Sequence, residues 1–582
     1  MEFKFGNIIA ELNIPGSVEY NLLVFGAITQ HVFQVKWDKK DVQPGMMLRL
    51  SWFRDVVDFQ YQWHAQCGFS RNMLTNWHGP VRSKISSGSP LHCFYNDAGR
   101  NRYTVALDDG VTEIGRRIGV REEDATLECH VDIPLDATGK SEKYDITLYI
   151  DETDCRYEDA IRRVADWWEA KYPPMNIPAA AKQPLYSCWY SFHQQVPAHE
   201  VEAECARAAK MGMKTVIVDD GWQTGDGNRG YAYCGDWEVY AGKIPDMREH
   251  VKKVHETGMK YMLWYSVPFV GKHSKAAKLF ADKSLSFNEG HGAYVVDPRY
   301  PEVRQYLINI YKNALTEWDL DGFKLDFIDS FRMTDSTPAF REGMDHAVLE
   351  DAVHTLMVEI MKTLTAIKPD ILIEFRQSYI GPVMREFGNM LRVGDCPLGT
   401  SQNRVGVIDL RLTSGNTAVH SDMLMWHEND RVENAVIQIE NCIFGTVQIS
   451  VLLDKVPDSH KKAIAFWTGF MEKETDLLQN APIYAEAPQN LYPLARTEKD
   501  GRSVIAVYEK GHSVRINPKI DEMYIINANS GGAVIMEFGA YAEYEAKVYD
   551  CTGELTAQGN LEAVPITKLP VPEAGFVYLK KI

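Results

Sequence analysis

Several features are missing from this 582-residue sequence, and their absence narrows what the protein can be. The ten cysteines are scattered, and none belongs to a Cys-x-x-Cys or Cys/His zinc pattern. We therefore predict no metal site and no cofactor. Scattered thiols are typical of a reducing compartment, because disulfides persist mainly in oxidising ones.

Clustered positive charge is also missing. The chain carries 62 Lys and Arg against 80 Asp and Glu, which gives a formal net charge of −18. Nucleic acids and anionic membranes are bound by clustered Lys and Arg. We therefore expect neither a nucleic acid nor a membrane as the main partner.

Long apolar runs are absent as well. No stretch approaches 18 uninterrupted apolar residues, the length of a membrane span. The N-terminal segment MEFKFGNIIAELNIPG lacks the charged start, the long apolar stretch and the cleavage site of a secretory signal. These absences predict a soluble, cytoplasmic protein.

The hydrophobic pattern that is present changes its period twice. The first 150 residues or so alternate apolar and polar positions between turn formers, which is typical of a β-sandwich. Short apolar strands then alternate with longer helical stretches, which predicts a parallel (β/α)₈ barrel. Alternation returns near the end and predicts a C-terminal antiparallel β-sandwich. The predicted units are an N-terminal sandwich (1–155), a helical and proline-rich connection (156–183), the barrel (184–485) and a C-terminal sandwich (486–582).

Polar residues follow most of the predicted barrel strands. The eight strands are predicted at the segments LYSCWY, KTVIVDD, KYMLWYS, GFKLDF, ILIEF, MLRVGD, TAVHS and TVQIS. Functional residues of such a barrel lie at the C-terminal ends of its strands. Strands two to seven end in Asp219, Asp220, Trp222, Trp264, Lys324, Asp326, Glu374, Arg376, Arg392, Asp395, His420 and Asp422. This concentration of acids and aromatics indicates a functional site.

Two of these acids suit the cleavage of a glycosidic bond. Such cleavage uses two carboxyl groups on opposite sides of the anomeric carbon, roughly 5–5.5 Å apart in retaining enzymes. Asp326 and Asp395 end strands four and six, so they can face each other across the barrel mouth. Lys324 points to the same side of its strand as Asp326. It either keeps Asp326 ionised or pairs with another acid at a strand end.

Six motifs in a fixed order carry a resemblance to a known family. They are VDDGWQ at 218–223, GDWEVYAGKIPDM at 235–247, YMLWYS at 261–266, VVDPRYPEVRQYL at 295–307, DGFKLDF at 321–327 and RVGDCP at 392–397. Together they resemble glycoside hydrolase family 36, which belongs to the same clan as the lysosomal-type α-galactosidases. The resemblance implies a central barrel flanked by an N-terminal and a C-terminal β-sandwich.

The resemblance also implies an activity and the residues that perform it. It implies a retaining α-glycosidase that hydrolyses terminal α-linked galactose-type sugars of an oligosaccharide or a small α-glycoside. Asp326 is then the nucleophile and Asp395 the general acid/base. We predict the substrate-binding residues as Asp219, Asp220, Trp189, Trp264, Lys324, Arg376, Arg392, Trp222 and Asp422. Members of the family often form homo-oligomers, so the resemblance also allows a homo-oligomer for this protein.

Departures from the family pattern leave alternatives open. Leu325 stands where the K-W-D motif has Trp, and EFRQS at 374–378 replaces E-C-S-G-G-G. RVGDCP, together with SDMLMWH at 421–427, is similar to the raffinose-synthase branch. The alternatives are an α-galactosyl transferase and an α-N-acetylgalactosaminidase. Two others are a metal-dependent barrel enzyme with His420 and Asp422 as ligands, and a non-catalytic sugar-binding protein.

Overall fold

The computed structural model describes residues 1–41, 43–140 and 142–582. Within them the chain builds a closed parallel barrel with an all-β unit on either side in sequence. The predicted fold class is therefore confirmed. The exact boundaries between the units stay a prediction.

The N-terminal unit consists of two antiparallel sheets. Its strands are β1 (Glu2–Phe5), β2 (Ile8–Leu12), β3 (Ser17–Phe25), β4 (Ile28–Lys36), β5 (Met47–Asp55), β6 (Tyr61–Trp63), β7 (Val81–Ser83), β8 (Leu91–Tyr95), β9 (Asn101–Leu107), β10 (Ile114–Arg121), β11 (Thr126–Pro134) and β12 (Lys143–Asp151). The sheet orders are β1-β2-β5-β11-β10-β7 and β3-β4-β12-β9-β8-β6. Apolar side chains of both sheets share one core, as the period-two pattern predicts.

The helix α1 (Tyr157–Glu169) connects this sandwich to the barrel. The Nε1 group of Trp168 donates to the backbone carbonyl of Leu107 at 2.8 Å. The ring of Trp167 packs on Tyr149 with centroids 4.9 Å apart. Both tryptophans thus bind the helix to the N-terminal sandwich.

Eight parallel strands close the barrel, with a small antiparallel sheet inserted after the third. The strands in chain order are β13 (Leu185–Ser187), β14 (Thr215–Val218), β15 (Lys260–Ser266), the inserted β16 (Phe269–Gly271), β17 (Ser284–Asn288) and β18 (Ala293–Val296), then β19 (Gly322–Asp326), β20 (Leu372–Arg376), β21 (Met390–Arg392), β22 (Ala418–Leu424) and β23 (Thr446–Ile449). The strand β23 pairs with β13 and completes the closure. Each of the eight predicted segments overlaps one barrel strand.

Helices cover the outside of the barrel. They are α2 (Trp189–Phe192), α3 (Ala198–Lys210), α4 (Met247–His255), α5 (Ala277–Phe280), α6 (Pro301–Trp318), α7 (Leu349–Ile367), α8 (Thr400–Thr413), α9 (Val432–Asn441) and α10 (Asp458–Lys473). Pro301 opens α6, and Asp319 ends it in the left-handed conformation. Across the described ranges, each helix is too short or too polar to cross a bilayer. The cytoplasmic location stays a prediction.

The C-terminal unit again consists of β-strands. They are β24 (Ile483–Ala485), β25 (Leu494–Lys499), β26 (Arg502–Val507), β27 (Ser513–Ile516), β28 (Glu522–Ile526), β29 (Ala533–Phe538), β30 (Glu543–Tyr549), β31 (Leu555–Glu562), β32 (Ile566–Pro570) and β33 (Phe576–Lys581). They form a seven-stranded and a three-stranded sheet around a separate apolar core. Most pairs are antiparallel, while β26–β28 and β27–β29 run parallel.

Candidate active site

Asp326 is the last residue of β19, so its carboxylate lies at the C-terminal end of the fourth barrel strand. The residue is only 7% exposed. Its Oδ1 atom accepts from Arg376 Nε at 2.5 Å and from the Phe327 backbone N–H at 2.8 Å, and the Tyr379 hydroxyl is 3.3 Å away. Its Oδ2 atom accepts from Trp264 Nε1 at 3.0 Å. The strand and these donors hold the carboxylate in one orientation.

The charges around Asp326 favour its ionised form. Burial raises the pKa of this carboxyl, but the cations of Arg376 and Lys324 more than offset that effect. The net result is a pKa well below the ordinary range of an aspartate. A group in this state can attack as a nucleophile and cannot donate a proton.

Lys324 forms its own ion pair elsewhere. Its Nζ atom is 2.6 Å from Oδ2 of Asp219, and both side chains are buried. Of the two alternatives for Lys324, the structure thus contains the pair with another acid at a strand end. The lysine still lowers the pKa of Asp326 through space. Both alternatives therefore hold in part.

Arg376 contacts two acids of the site in this structure, and its predicted contact to a sugar hydroxyl stays a prediction. Its guanidinium pairs with Asp326 and lies 3.5 Å from Oδ2 of Asp329. Ser378 Oγ is 3.4 Å from the same Asp329 oxygen. Asp329 was not among the predicted site residues, although its position three residues after Asp326 could have suggested it. Arg376 therefore joins two carboxylates.

Asp395 lies on the loop that follows β21. Its carboxylate pairs with Nη2 of Arg392 at 3.0 Å, and 56% of the side chain is exposed. Burial raises the pKa of Asp395, as does the charge of Asp326, but Arg392 and Lys324 offset both. The pKa therefore lies below its usual range. Asp395 and Asp326 are close enough to influence each other electrostatically.

The buried side chains of Arg392 and Asp422 contact the loop that carries Asp395 and fix its position. Arg392 is 1% exposed and contacts Asp422 at 2.5 Å and Glu374 at 3.4 Å, in addition to Asp395. Three carboxylates thus surround the guanidinium of Arg392, and its role as a substrate contact stays a prediction.

Asp422 is likewise fully buried, and its role as a substrate contact stays a prediction. It accepts from the backbone N–H of Cys396 at 2.6 Å and from the Tyr190 hydroxyl at 3.0 Å. Cys396 follows Asp395 directly, so Asp422 positions the segment that carries Asp395. Tyr190 was not predicted, and no sequence pattern marks it.

Asp220 lies beneath the mouth of the barrel beside Asp219. Its two carboxylate oxygens accept from the side-chain amides of Gln194 at 2.6 Å and Gln223 at 2.7 Å. Burial raises its pKa to about 6. The role of Asp219 and Asp220 in binding sugar stays a prediction.

The three predicted tryptophans occupy different places. Trp264 binds Asp326, and the ring of Tyr231 stacks on it at 6.0 Å. Trp222 is fully buried and donates to the Trp264 carbonyl at 3.0 Å, so its ring presents no face to a ligand. Trp189 is half-buried and meets His193 edge-on at 4.9 Å. Trp189 is therefore the one of the three with free surface.

The pair His420 and Asp422 does not form a metal site. The Nε2 atom of His420 lies 2.7 Å from the carbonyl of Ala181, and burial lowers the His420 pKa to about 4. Among the described residues, no three His, Cys, Asp or Glu side chains gather as metal ligands. His420 instead anchors the segment before the first barrel strand.

A comparison with models of known protein families shows which family this chain belongs to. The family model Melibiase matches residues 179–481, which contain all the site residues described above. The chain belongs to the melibiase family. This membership agrees with the resemblance to glycoside hydrolase family 36.

Curated relatives of this chain share short aligned regions with it. The α-galactosidase Mel36A of Lactobacillus acidophilus is 26% identical over 177 residues, which are 29% of this chain and 23% of that protein. The α-galactosidase of Escherichia coli is 30% identical over 128 residues, 21% of this chain and 17% of that protein. The alignments thus span about a quarter or less of each relative.

Solved structures resemble this chain over nearly its whole length. The GH36 α-galactosidase AgaA of Geobacillus stearothermophilus superposes with a TM-score of 0.67 at 14% identity, covering 99% of this chain and 83% of that one. An α-galactosidase of Lactobacillus brevis gives a TM-score of 0.67 at 13% identity, with 100% and 83% covered. At such identities the similarity shows the fold alone.

Proposed function

We propose that this protein hydrolyses terminal α-linked galactose-type sugars with retention of configuration. Asp326 acts as the nucleophile and Asp395 as the general acid/base. The observation that carries the proposal is the buried, ionised carboxylate of Asp326 at a barrel strand end, with the half-exposed Asp395 nearby. Relatives that match the chain are α-galactosidases, and two AgaA structures of the same fold contain raffinose or stachyose.

The first step forms a bond between Asp326 and the sugar. Oδ1 of Asp326 is held by Arg376 and the Phe327 N–H, whereas Oδ2 accepts a hydrogen bond only from Trp264 among the described residues. Oδ2 therefore keeps the more available lone pair, and we assign the attack on the anomeric carbon to it. The glycosidic C–O bond breaks as Asp395 gives its proton to the departing oxygen.

The second step returns the enzyme to its starting state. The negative charge of Asp326 raises the pKa of Asp395 in the free protein. This charge disappears once Asp326 is esterified to the sugar, so the pKa of Asp395 falls. Asp395 then stays in its ionised form, which can act as a base. It then takes a proton from water, whose oxygen attacks the anomeric carbon and releases the sugar from Asp326.

A panel of p-nitrophenyl α-glycosides tests the activity. Galactose, N-acetylgalactosamine, glucose and arabinose are compared as the sugar, and we expect the highest kcat/KM for galactose. A preference for N-acetylgalactosamine would redirect the assignment to that alternative. Product analysis with sucrose present separates hydrolysis from transfer, because a transferase yields a sucrose galactoside as the main product.

An activated 2-fluoro-galactosyl trap tests the nucleophile. Mass spectrometry of the trapped protein should find the sugar on Asp326. The Asp329→Asn variant is the matched control, because this neighbouring acid shares the Arg376 contact and the variant should still be labelled. A label on another residue contradicts the assignment of Asp326.

A further inference from the structure

The core of the N-terminal sandwich contains an arginine, Arg116, on the central part of β10. Ile114, Arg116 and Ile118 follow the period of the strand and turn toward the core. Arg116 is fully buried. Its Nη1 atom donates to the carbonyl of Ser89 at 2.8 Å, while Nε and Nη2 contact no acceptor of the described residues.

The side chains around Arg116 add further donors without partners. His92 stands on β8, in the opposite sheet, and is 1% exposed; neither of its ring nitrogens has a partner within the described ranges. His64 is 6% exposed, and its ring centroid lies 4.7 Å from that of His92. The buried hydroxyl of Ser89 also lacks a partner there. Arg116, His64, His92 and Ser89 form what we call the sandwich cluster.

Other buried arginines of the described residues pair with a carboxylate or, like Arg404 and Arg411, donate to several carbonyl or amide oxygens. Arg71 pairs with Asp409 at 2.9 Å, and Arg299 pairs with Asp297 at 2.7 Å. For Arg116 the described chain supplies no carboxylate, and burial lowers its pKa to about 9. Burial also lowers the pKa of His64 to about 3, so the imidazoles are neutral and the cluster carries one positive charge.

A buried charge of this kind needs a counter-charge, because its desolvation costs several kcal/mol in a protein interior. The Nε and Nη2 atoms form one edge of the guanidinium, with parallel N–H bonds that grip an anion in bidentate fashion. A metal cation is unsuitable because the guanidinium would repel it. A neutral water molecule satisfies the donors but leaves the charge uncompensated.

We propose that the sandwich cluster binds a small monovalent inorganic anion of the chloride type. Arg116 supplies the charge and the bidentate edge, and His92 and Ser89 supply further hydrogen-bond donors. The single positive charge of the cluster matches a single negative one.

The position of this anion links it to the barrel. Ser89 follows Gly88, whose backbone N–H donates to the Ser378 carbonyl at 2.8 Å. Ser378 belongs to the loop after β20 that contacts Asp329. An anion that fixes the backbone at Ser89 would therefore stabilise the contact between the sandwich and the barrel loop beside the candidate active site.

Bromide locates the anion directly. Crystals of the full chain are soaked in sodium bromide, and anomalous scattering is recorded at the bromine absorption edge. We expect a peak within hydrogen-bond distance of Arg116 Nε and Nη2. Bromide at surface positions only, an adventitious ion, would overturn the proposal.

Thermal unfolding supplies the measurement in solution. The protein is titrated with sodium chloride against sodium gluconate at equal ionic strength, and we expect a saturable rise of about 2–4 °C in Tm with chloride. The Arg116→Gln variant should lose the rise. The Arg117→Gln variant, one residue along on the opposite face of β10, should keep it. Equal melting curves of the unchanged protein in both salts would overturn the proposal, even if Arg116→Gln fails to fold.

Discussion

The two carboxylates that we assign to catalysis lie in different surroundings. Asp326 ends a barrel strand, is buried, and receives hydrogen bonds from a tryptophan, an arginine and the backbone. Asp395 lies on a loop, is more than half exposed, and has one ion pair, to Arg392. The loop itself is held one residue later, through Asp422 and the Cys396 N–H.

This difference fits the two tasks. A nucleophile attacks along one direction, so rigid support of Asp326 by its strand reduces the entropic cost of reaching the transition state. An acid/base group must take up and release protons, which the exposure of Asp395 to solvent permits. The indirect support of Asp395 leaves it able to adjust to the leaving group. The following predictions test this contrast.

The largest effect is expected for Asp326→Asn. The amide has the shape of the carboxylate without its nucleophilic charge, so kcat/KM for p-nitrophenyl α-galactoside should fall by about 10⁴-fold or more. Steady-state kinetics measures the loss. The Asp329→Asn variant changes an acid in the same contact network and should lose far less of its kcat/KM. Comparable losses in both variants would contradict the role of Asp326 as the nucleophile.

The next largest effect is expected for Asp395→Ala. General acid catalysis contributes about 10²–10⁴-fold, so hydrolysis of a galactosyl oligosaccharide should fall within this range. A dinitrophenyl galactoside has a leaving group that needs no proton, and its bond cleavage should fall much less. Rates of the two substrates, compared in the same variant, show the difference. Equal losses for both would contradict an acid role for Asp395.

Arg392→Met tests the support beneath Asp395. The change leaves Glu374 and Asp422 buried without their cation, which should destabilise the fold by about 3–5 kcal/mol. Urea unfolding measures the difference. Arg431→Met removes an arginine whose pair with Glu573 is at the surface and should change stability little. Similar unfolding curves of the unchanged protein and Arg392→Met would show that this network contributes little.

The pH dependence of kcat/KM tests the protonation of Asp395, and we expect it to show the smallest of these effects. Because Arg392 keeps the pKa of Asp395 below its usual range, the protonated fraction falls about tenfold for each pH unit above that pKa. For an oligosaccharide, kcat/KM should therefore rise as the pH is lowered from 7 to 5. The dinitrophenyl substrate should respond less. A plateau across this range would show that free Asp395 holds its proton at neutral pH.

Much of the barrel could be predicted from local patterns. A buried parallel strand appears in the sequence as a short apolar run, and the polar residues at its end mark the C-terminal face of the barrel. All eight strands and the position of Asp326 could therefore be predicted from the sequence. The segments that connect the later barrel strands, which include α8, have a less regular hydrophobic pattern. Polar residues of α8 such as Asn403 and Arg411 are buried, so the helix lacks a distinct apolar face.

The pairing of charges could not be predicted in the same way. Lys324 was considered as a partner of Asp326 or of another acid, and the structure pairs it with Asp219. Arg376 and Arg392 were predicted to contact sugar, and the sequence did not indicate the ion pairs that both form with carboxylates. Several acids and bases share each strand end, and sequence spacing does not decide which of them meet.

The sequence by itself determined the order of the units, the eight barrel strands and the strand-end position of Asp326, because these follow from the local hydrophobic period. The tertiary structure decided the partner of each charge and the solvent exposure of Asp395. Closure of the barrel brings side chains from distant strands within a few ångströms of one another, and at such distances the geometry determines ion pairs and pKa values. Among the residues that the structure describes, the same dependence on geometry left Arg116 without a carboxylate inside the N-terminal sandwich.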